Sequence, residues 1–207
     1  MATELVFYHN PMSRGRIAHW MLEEVGVPYR TVILDFDKGE HKSPDYLAIN
    51  PMGKVPAIVH GGTVVTETAA VCAYLADAFP EAGLAPAVND RRRGPYYRWL
   101  FFGAGCFEPA LADKMFQRAE VERKGALGYG SYEDTVNALG QAVRPGPWIL
   151  GDMFSAADVY VGSQIMWAMR FGAPGLADNP AFTAYVERLR GRPAFKRASE
   201  ANGDLTL

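Results

Sequence analysis

Two short stretches carry residues whose types and spacing could do chemistry: Asn50-Pro51-Met52-Gly53-Lys54-Val55-Pro56-Ala57 and, ten residues on from Pro56, Thr66-Glu67-Thr68. Pro56 has no N–H to give to a sheet, so the turn that feeds it is a fixed edge. Only X–Pro bonds reach the cis form at modest cost, and a cis Val55–Pro56 bond lets Val55 present its own N–H and C=O outward. Glu67 stands twelve residues after Val55, and with Thr68 it falls in the first turn of a helix. There, free backbone N–H groups and the positive end of the helix dipole attract an anion. Together the two stretches describe a surface that holds a small peptide by its backbone and clamps its carboxylate.

Regular elements must position these groups. Leu5-Val6-Phe7-Tyr8 reads as a short buried strand ended by His9-Asn10-Pro11. Ile17, Trp20, Met21 and Val25 recur at helical spacing over Ser13–Val25, and Gly26 is a suitable stop. Tyr29–Phe36 reads as a second strand. Strand, helix and strand within about 30 residues make a βαβ unit with parallel strands. Ala57–His60 and Thr63–Thr66 flank Gly61-Gly62, a tight hairpin signal because both glycines can take positive φ. Thr66 is then expected as the N-cap of a helix whose Val71, Tyr74, Leu75, Ala78 and Phe79 share a face.

Past Glu81–Asn89, rich in Ala, Pro and Gly, the strand signals stop. Tyr96–Phe116 and Ala119–Val143 read as helices, the second punctuated by Gly125, Gly128 and Gly130. Phe154-Ser155-Ala156-Ala157-Asp158-Val159 carries a capping box between Ser155 and Asp158, with Phe154 and Val159 at the staple positions. The apolar helix that follows, through Met169, is expected at the centre of an all-helical domain. Helices near 181–190 and 194–201 are expected to close it. The predicted fold class is α/β followed by all-α: residues 1–80 as the first domain, 81–89 as a linker and 90–207 as the helical domain.

Lys54-Val55-Pro56 with Glu67-Thr68 resembles the glutathione-binding half of the glutathione S-transferase family. The resemblance runs over roughly the first 80 residues and is architectural beyond them. In that family the residue before a cis-proline pairs with the cysteinyl backbone of glutathione, which here is Val55. The dipeptide opening the next helix grips the γ-glutamyl end, Glu67 taking its ammonium and Thr68 with the helix N–H groups its carboxylate. A carboxylate at a helix start is also favoured by the dipole alone. His41, fourteen residues before Val55, is similar to the theta and zeta-like bacterial branches, where a His or Gln meets the glycyl carboxylate; Lys54 is a second candidate. The resemblance implies a thioredoxin-like βαβ-ββα domain ahead of a helical bundle. It also implies an enzyme that conjugates the glutathione thiolate to a small apolar electrophile, with glutathione as co-substrate, no other cofactor and no metal. A homodimer with a detoxifying role is implied as well. Glutathione-dependent peroxidase, isomerase or dehalogenase chemistry on the same fold, or non-catalytic glutathione binding, stand as alternatives.

Such chemistry needs a thiolate, and a free thiol with pKa about 8.5 is only a few per cent ionised at neutral pH. A hydroxyl at a helix N-terminus can lower that pKa by hydrogen bonding, the dipole adding to the effect. Ser13 lies where the serine-type members of the family carry this hydroxyl; the same position also suits a helix cap. Arg14 could add positive charge. Tyr8 raises the tyrosine-type alternative, against a role as a buried strand aromatic. No cysteine lies in this loop, which argues against a redox role through a protein thiol. Cys72 falls on an apolar helix face. Cys106, in the run Phe101-Phe102-Gly103-Ala104-Gly105-Cys106-Phe107, either packs in the core or helps form an electrophile pocket with Met12.

Composition limits the rest. The 207 residues are 49% hydrophobic with a net charge of −2, which supplies a core and gives no reason to expect nucleic acid or an anionic membrane as partner. Two cysteines make neither a disulfide framework nor a metal cluster and fit a reducing compartment. Met1-Ala2-Thr3-Glu4-Leu5 lacks the regions of a signal peptide, and no apolar run approaches the ~20 residues that span a bilayer. A cytoplasmic protein is expected.

Overall fold

The computed structural model describes residues 3–119 and 121–203. Met1 and Ala2, read above for a leader, Glu120, inside the stretch read as helical, and 204–207, at the end of the expected helical domain, lie outside the described residues.

The chain divides into two compact units, one made of the residues up to Leu84 together with those from Arg192 on, the other of Ala85–Gly191. The first is built on β1 (Leu5–His9), a strand buried except at the half-buried Tyr8. It is central in a four-stranded sheet of order β2-β1-β3-β4. Helix α1 (Gly15–Val25) carries the chain over to β2 (Arg30–Ile33), which runs parallel to β1. The βαβ unit is as the spacing predicts. Gly26 stops α1 in the left-handed conformation (φ 73°) with its N–H on the Leu22 carbonyl. β2 is shorter than expected because pairing ends with β1: Leu34 N–H bonds the His9 carbonyl at 2.8 Å. Beyond it Asp35 Oδ1 accepts from the Asp37 and Lys38 N–H groups and closes a turn.

A short helix α2 (Pro44–Leu47) leads to the Asn50 turn. β3 (Ala57–His60) and β4 (Thr63–Thr66) then form the hairpin, Gly61 at φ 56° and Gly62 at φ 83°. Helix α3 (Thr68–Ala78) returns over the sheet and buries Val71, Cys72 and Leu75, while α1 buries Trp20, Met21 and Leu22. The N-cap of α3 is Glu67, not Thr66: Thr66 still pairs with Ala57 in the sheet, so the chain leaves β4 one residue later than expected.

The second unit is helical. α4 (Arg93–Phe102) passes through a π-helical turn at Gly103–Phe107 into α5 (Glu108–Met115). Pro109 has no N–H to give the Gly105 carbonyl, and a Cβ at Gly103 would stand 2.8 Å from Gln164 Oε1; both favour a change of helical pitch there. Among the described residues of the stretch read as one helix over 119–143, a 3₁₀ turn forms at Lys124–Ala126 and α-helix begins only with α6 (Tyr132–Val143), where Ser131 caps the Asp134 N–H at 3.1 Å. Gln117 and Gly130 at positive φ break the chain ahead of it. In α7 (Ala156–Arg170) the capping box forms, and the buried Asp158 carboxylate accepts from the Ser155 and Ile149 N–H groups and from the Ser155 and Tyr185 hydroxyls. α8 (Pro180–Arg190) packs on α7.

The last helix, α9 (Pro193–Asn202), departs from the expectation that it closes the helical domain. It packs on α1. Arg192 holds the Glu24 carboxylate at 2.6 and 2.7 Å, Arg197 pairs with Glu23 at 2.7 Å, and Phe195 sits edge-on to Trp20. The acidic pair ending α1 thus takes its counter-charges from the end of the chain.

Candidate active site at one edge of the sheet

The strand register decides which loops meet. Tyr8 of β1 stands opposite Ala57 of β3, and Ala57 opposite Thr66 of β4. The turn after β1, the turn before β3 and the helix start after β4 therefore emerge at the same end of the sheet. Those three places hold Ser13, Val55 and Glu67-Thr68.

The Val55–Pro56 bond is cis. Val55 is half-buried, and neither its N–H nor its C=O bonds to another described residue. The turn ahead of it is held from below. Buried Asn50 gives its amide to the Lys54 carbonyl at 2.8 Å and accepts from Met52 N–H, while Tyr46 donates its hydroxyl to the same carbonyl at 2.5 Å. Burial pushes the Tyr46 phenol up to about 12, so it stays a donor. Gly53 has φ 58°, and a Cβ there would lie 2.7 Å from the His41 carbonyl. Only glycine lets the two segments close up.

Glu67 is exposed and takes φ 63°, ψ 119°, a region that non-glycine residues seldom occupy. Among the described residues no side chain caps the N-terminus of α3. The first helical bond runs from Val71 N–H to the Glu67 carbonyl at 2.8 Å, which leaves the N–H groups of Thr68, Ala69 and Ala70 without a partner among the described residues. These are the free donors an anion needs.

Ser13 precedes α1 rather than opening it. Its hydroxyl donates to the Asn10 carbonyl at 2.6 Å and accepts from Gly15 N–H at 3.0 Å, closing a local turn. Arg14 takes the N-cap place, exposed. Tyr8 is half-buried with its ring 5.6 Å from that of Tyr46, packed as a strand aromatic. His41 lies in a 3₁₀ turn at Glu40–Lys42, its ring edge-on to Phe36 at 4.8 Å and its Nδ1 buried with no partner among the described residues. Lys54 is exposed, and Lys42 sends Nζ to the Met52 carbonyl at 2.9 Å.

Two family models match the chain: the glutathione S-transferase N-terminal domain over residues 3–77 and the glutathione S-transferase C-terminal domain over residues 117–188. Glutathione S-transferase A of Pleuronectes platessa is 31% identical over 189 residues, 85% of this chain and 82% of the relative. The chain belongs to the glutathione S-transferase family. Glutathione S-transferase GstA of Escherichia coli O157:H7 is 28% identical over 95% of this chain and 98% of its own length. Among solved structures, a sphingomonad glutathione S-transferase complexed with glutathione superposes with a TM-score of 0.78 at 29% identity, over 95% of this chain and 98% of that one.

Within this family member, sequence reasoning missed Tyr46 and Asn50, which hold the turn before Val55. The Asn50-Pro51 pair was a turn signal; nothing in the spacing marked Tyr46. Met12, in the turn before Ser13, is exposed; Cys106, in the second unit, is half-buried in the π-helical turn with Sγ 3.8 Å from the Gly128 carbonyl. Cys72 is fully buried, and burial pushes its thiol well up. Among the described residues no helix is long and apolar enough to cross a membrane, and no group of His, Cys, Asp and Glu could hold a metal ion.

Proposed function

We propose that this family member is a glutathione transferase that binds glutathione at the sheet edge and adds its thiolate to a small apolar electrophile, with no cofactor beyond glutathione itself. Val55 pairs through its backbone with the cysteinyl residue. Glu67 takes the γ-glutamyl ammonium, and Thr68 with the free N–H groups of α3 the γ-glutamyl carboxylate. His41 and Lys54 serve the glycyl carboxylate, and Ser13 donates to the sulfur.

The observation that supports this most is the conformation of Glu67. A carboxylate favoured by the helix dipole alone has no need of φ 63°. A side chain held in that region costs about 1–3 kcal/mol and persists where the surroundings impose it, as at ligand clamps. Here it heads an uncapped helix at the sheet end where the Val55 backbone is also unpaired. Calorimetry with glutathione on wild type and Glu67→Ala tests the clamp. A charge-assisted contact is worth about 1.5–3 kcal/mol, so affinity should fall about ten- to 150-fold. Equal affinities sink the clamp. Glutathione-dependent turnover across halides, epoxides and isothiocyanates, read as conjugation, and peroxides, read as reduction, tests the activity; glutathione binding with no turnover on any of them would make the protein a binding module.

A further inference from the structure

His9 ends β1, four residues ahead of Ser13, and is 1% exposed. Its ring stacks on Phe7 and meets His19 edge-on at 5.6 Å. Nε2 lies 2.7 Å from Oδ1 of Asn202, in the last turn of α9. The amide nitrogen of Asn202 is committed to His19 Nδ1 at 2.9 Å and to the Ala198 carbonyl at 2.5 Å, which fixes the way the amide points. An amide oxygen only accepts, so His9 carries its proton on Nε2 and a lone pair on Nδ1. That Nδ1 is buried with no hydrogen-bond partner among the described residues. It faces Gly15: a Cβ there would stand 2.2 Å from His9 Nδ1 and 3.0 Å from Ser13 Oγ. The imidazole and the serine hydroxyl thus flank one point of the backbone, and only glycine leaves room for both.

We infer that His9, locked by Asn202, is a positioning residue for the thiolate-stabilising hydroxyl, which rests on the assignment of Ser13 proposed above. The ring seats Gly15. Gly15 N–H, bonded to Ser13 Oγ at 3.0 Å, then fixes where that hydroxyl sits and which side remains open for donation. A displacement of about 1 Å at such a group can cost two orders of magnitude in rate. Burial holds the His9 pKa down to about 4 against the raising effect of the Asn202 bond, with the charges of His19 and Arg16 adding to the lowering. The ring therefore stays neutral at working pH, and its Nδ1 presents no proton to Gly15.

The experiment is a pH titration of thiolate absorbance in the glutathione complex for wild type, Ser13→Ala, Asn202→Ala, Gly15→Ala and Phe195→Ala. Asn202→Ala frees the ring, and Gly15→Ala displaces it from the opposite side. Both should raise the midpoint by about half a unit to one unit, a three- to tenfold loss of thiolate at neutral pH, with glutathione affinity little changed. Phe195→Ala loosens the same helix against Trp20 and should lower thermal stability while leaving the midpoint at the wild-type value. Wild-type midpoints in Asn202→Ala and Gly15→Ala, with Ser13→Ala shifted, overturn the positioning role and leave Ser13 in place. An unshifted Ser13→Ala removes the assignment and this inference together. A shift in Phe195→Ala equal to that in Asn202→Ala makes the effect one of general loosening and also overturns it. Should Asn202→Ala fail to fold, His9→Ala, which removes the ring without adding an atom beside Ser13 Oγ, decides instead, a wild-type midpoint overturning the positioning role.

Discussion

Removing the Ser13 hydroxyl tests the chemistry most directly, and the structure sets the size of the effect. A hydroxyl has one proton, and in this structure it is spent on the Asn10 carbonyl at 2.6 Å. Donation to a sulfur anion means turning that proton away from a neutral acceptor. A hydrogen bond to a charged group is worth about 1.5–3 kcal/mol and a neutral one about 0.5–1.5, so the net gain on ionisation is about 1–1.5 kcal/mol. That is about one pKa unit. Ser13→Ala should therefore raise the thiol pKa of bound glutathione by about one unit and cut turnover near neutral pH about tenfold. The neutral thiol gains little from the hydroxyl, so affinity for glutathione should barely change. The sign follows from which form is lost: the mutant lacks thiolate only below its raised pKa, so activity should return as pH approaches about 9. The mutant also leaves Gly15 N–H without its acceptor, at about 1 kcal/mol of stability. Thiolate absorbance against pH, beside the pH–rate profile, reads the outcome. Identical midpoints in wild type and mutant would refute the reasoning, and Arg14 or Tyr8 would become the candidate.

Glu67→Gly should bind glutathione as weakly as Glu67→Ala yet unfold at higher denaturant, because glycine takes φ 63° without the steric cost; a lower midpoint than wild type in urea would contradict the strain. Asp158→Ala should cost about 3–5 kcal/mol in urea unfolding, since it orphans the buried Ile149 and Ser155 N–H groups and the Tyr185 hydroxyl, whereas a loss under about 1 kcal/mol would mean the network relaxes. Burial raises the Asp158 pKa to about 6, so its protonated form is the one the fold favours. Its contribution to stability should be fullest below about pH 4 and fall away as pH rises through about 6, a trend that Asp158→Asn should lack. A homodimer is expected, and light scattering that returns the single-chain mass of 22.7 kDa at micromolar concentration would contradict it.

The parts of this molecule legible in the sequence were those governed by local rules. Gly26 as a helix stop, Gly61-Gly62 as a hairpin and Ser155–Asp158 as a capping box each depend on a few adjacent residues. The local structure of the two stretches proposed to bind glutathione was legible for the same reason, each being a turn or a helix start. What escaped was set at a distance. No sequence pattern announces that Tyr46 reaches the Lys54 carbonyl or that Asn202 sits on His9, 193 positions earlier. The helix read across Ala119–Val143 failed on backbone conformation, where Gln117 and Gly130 turn to positive φ against an acceptable side-chain pattern. The last helix was rightly drawn but wrongly lodged, because its partners are the charges Glu23 and Glu24 and no periodicity points to them.

That lodging makes the helical unit an insertion within the first one. During synthesis, the sheet, α1 and α3 leave the ribosome long before Arg192–Asn202 do. Until those residues emerge, Trp20 lacks the Phe195 ring, Glu23 and Glu24 lack their arginines, and His9 and His19 lack the amide that sets their tautomers. Chains fold largely from the N-terminus as they are made, but this first unit cannot be completed in that order. A nascent chain would carry this first unit unfinished until Arg192–Asn202 have left the ribosome.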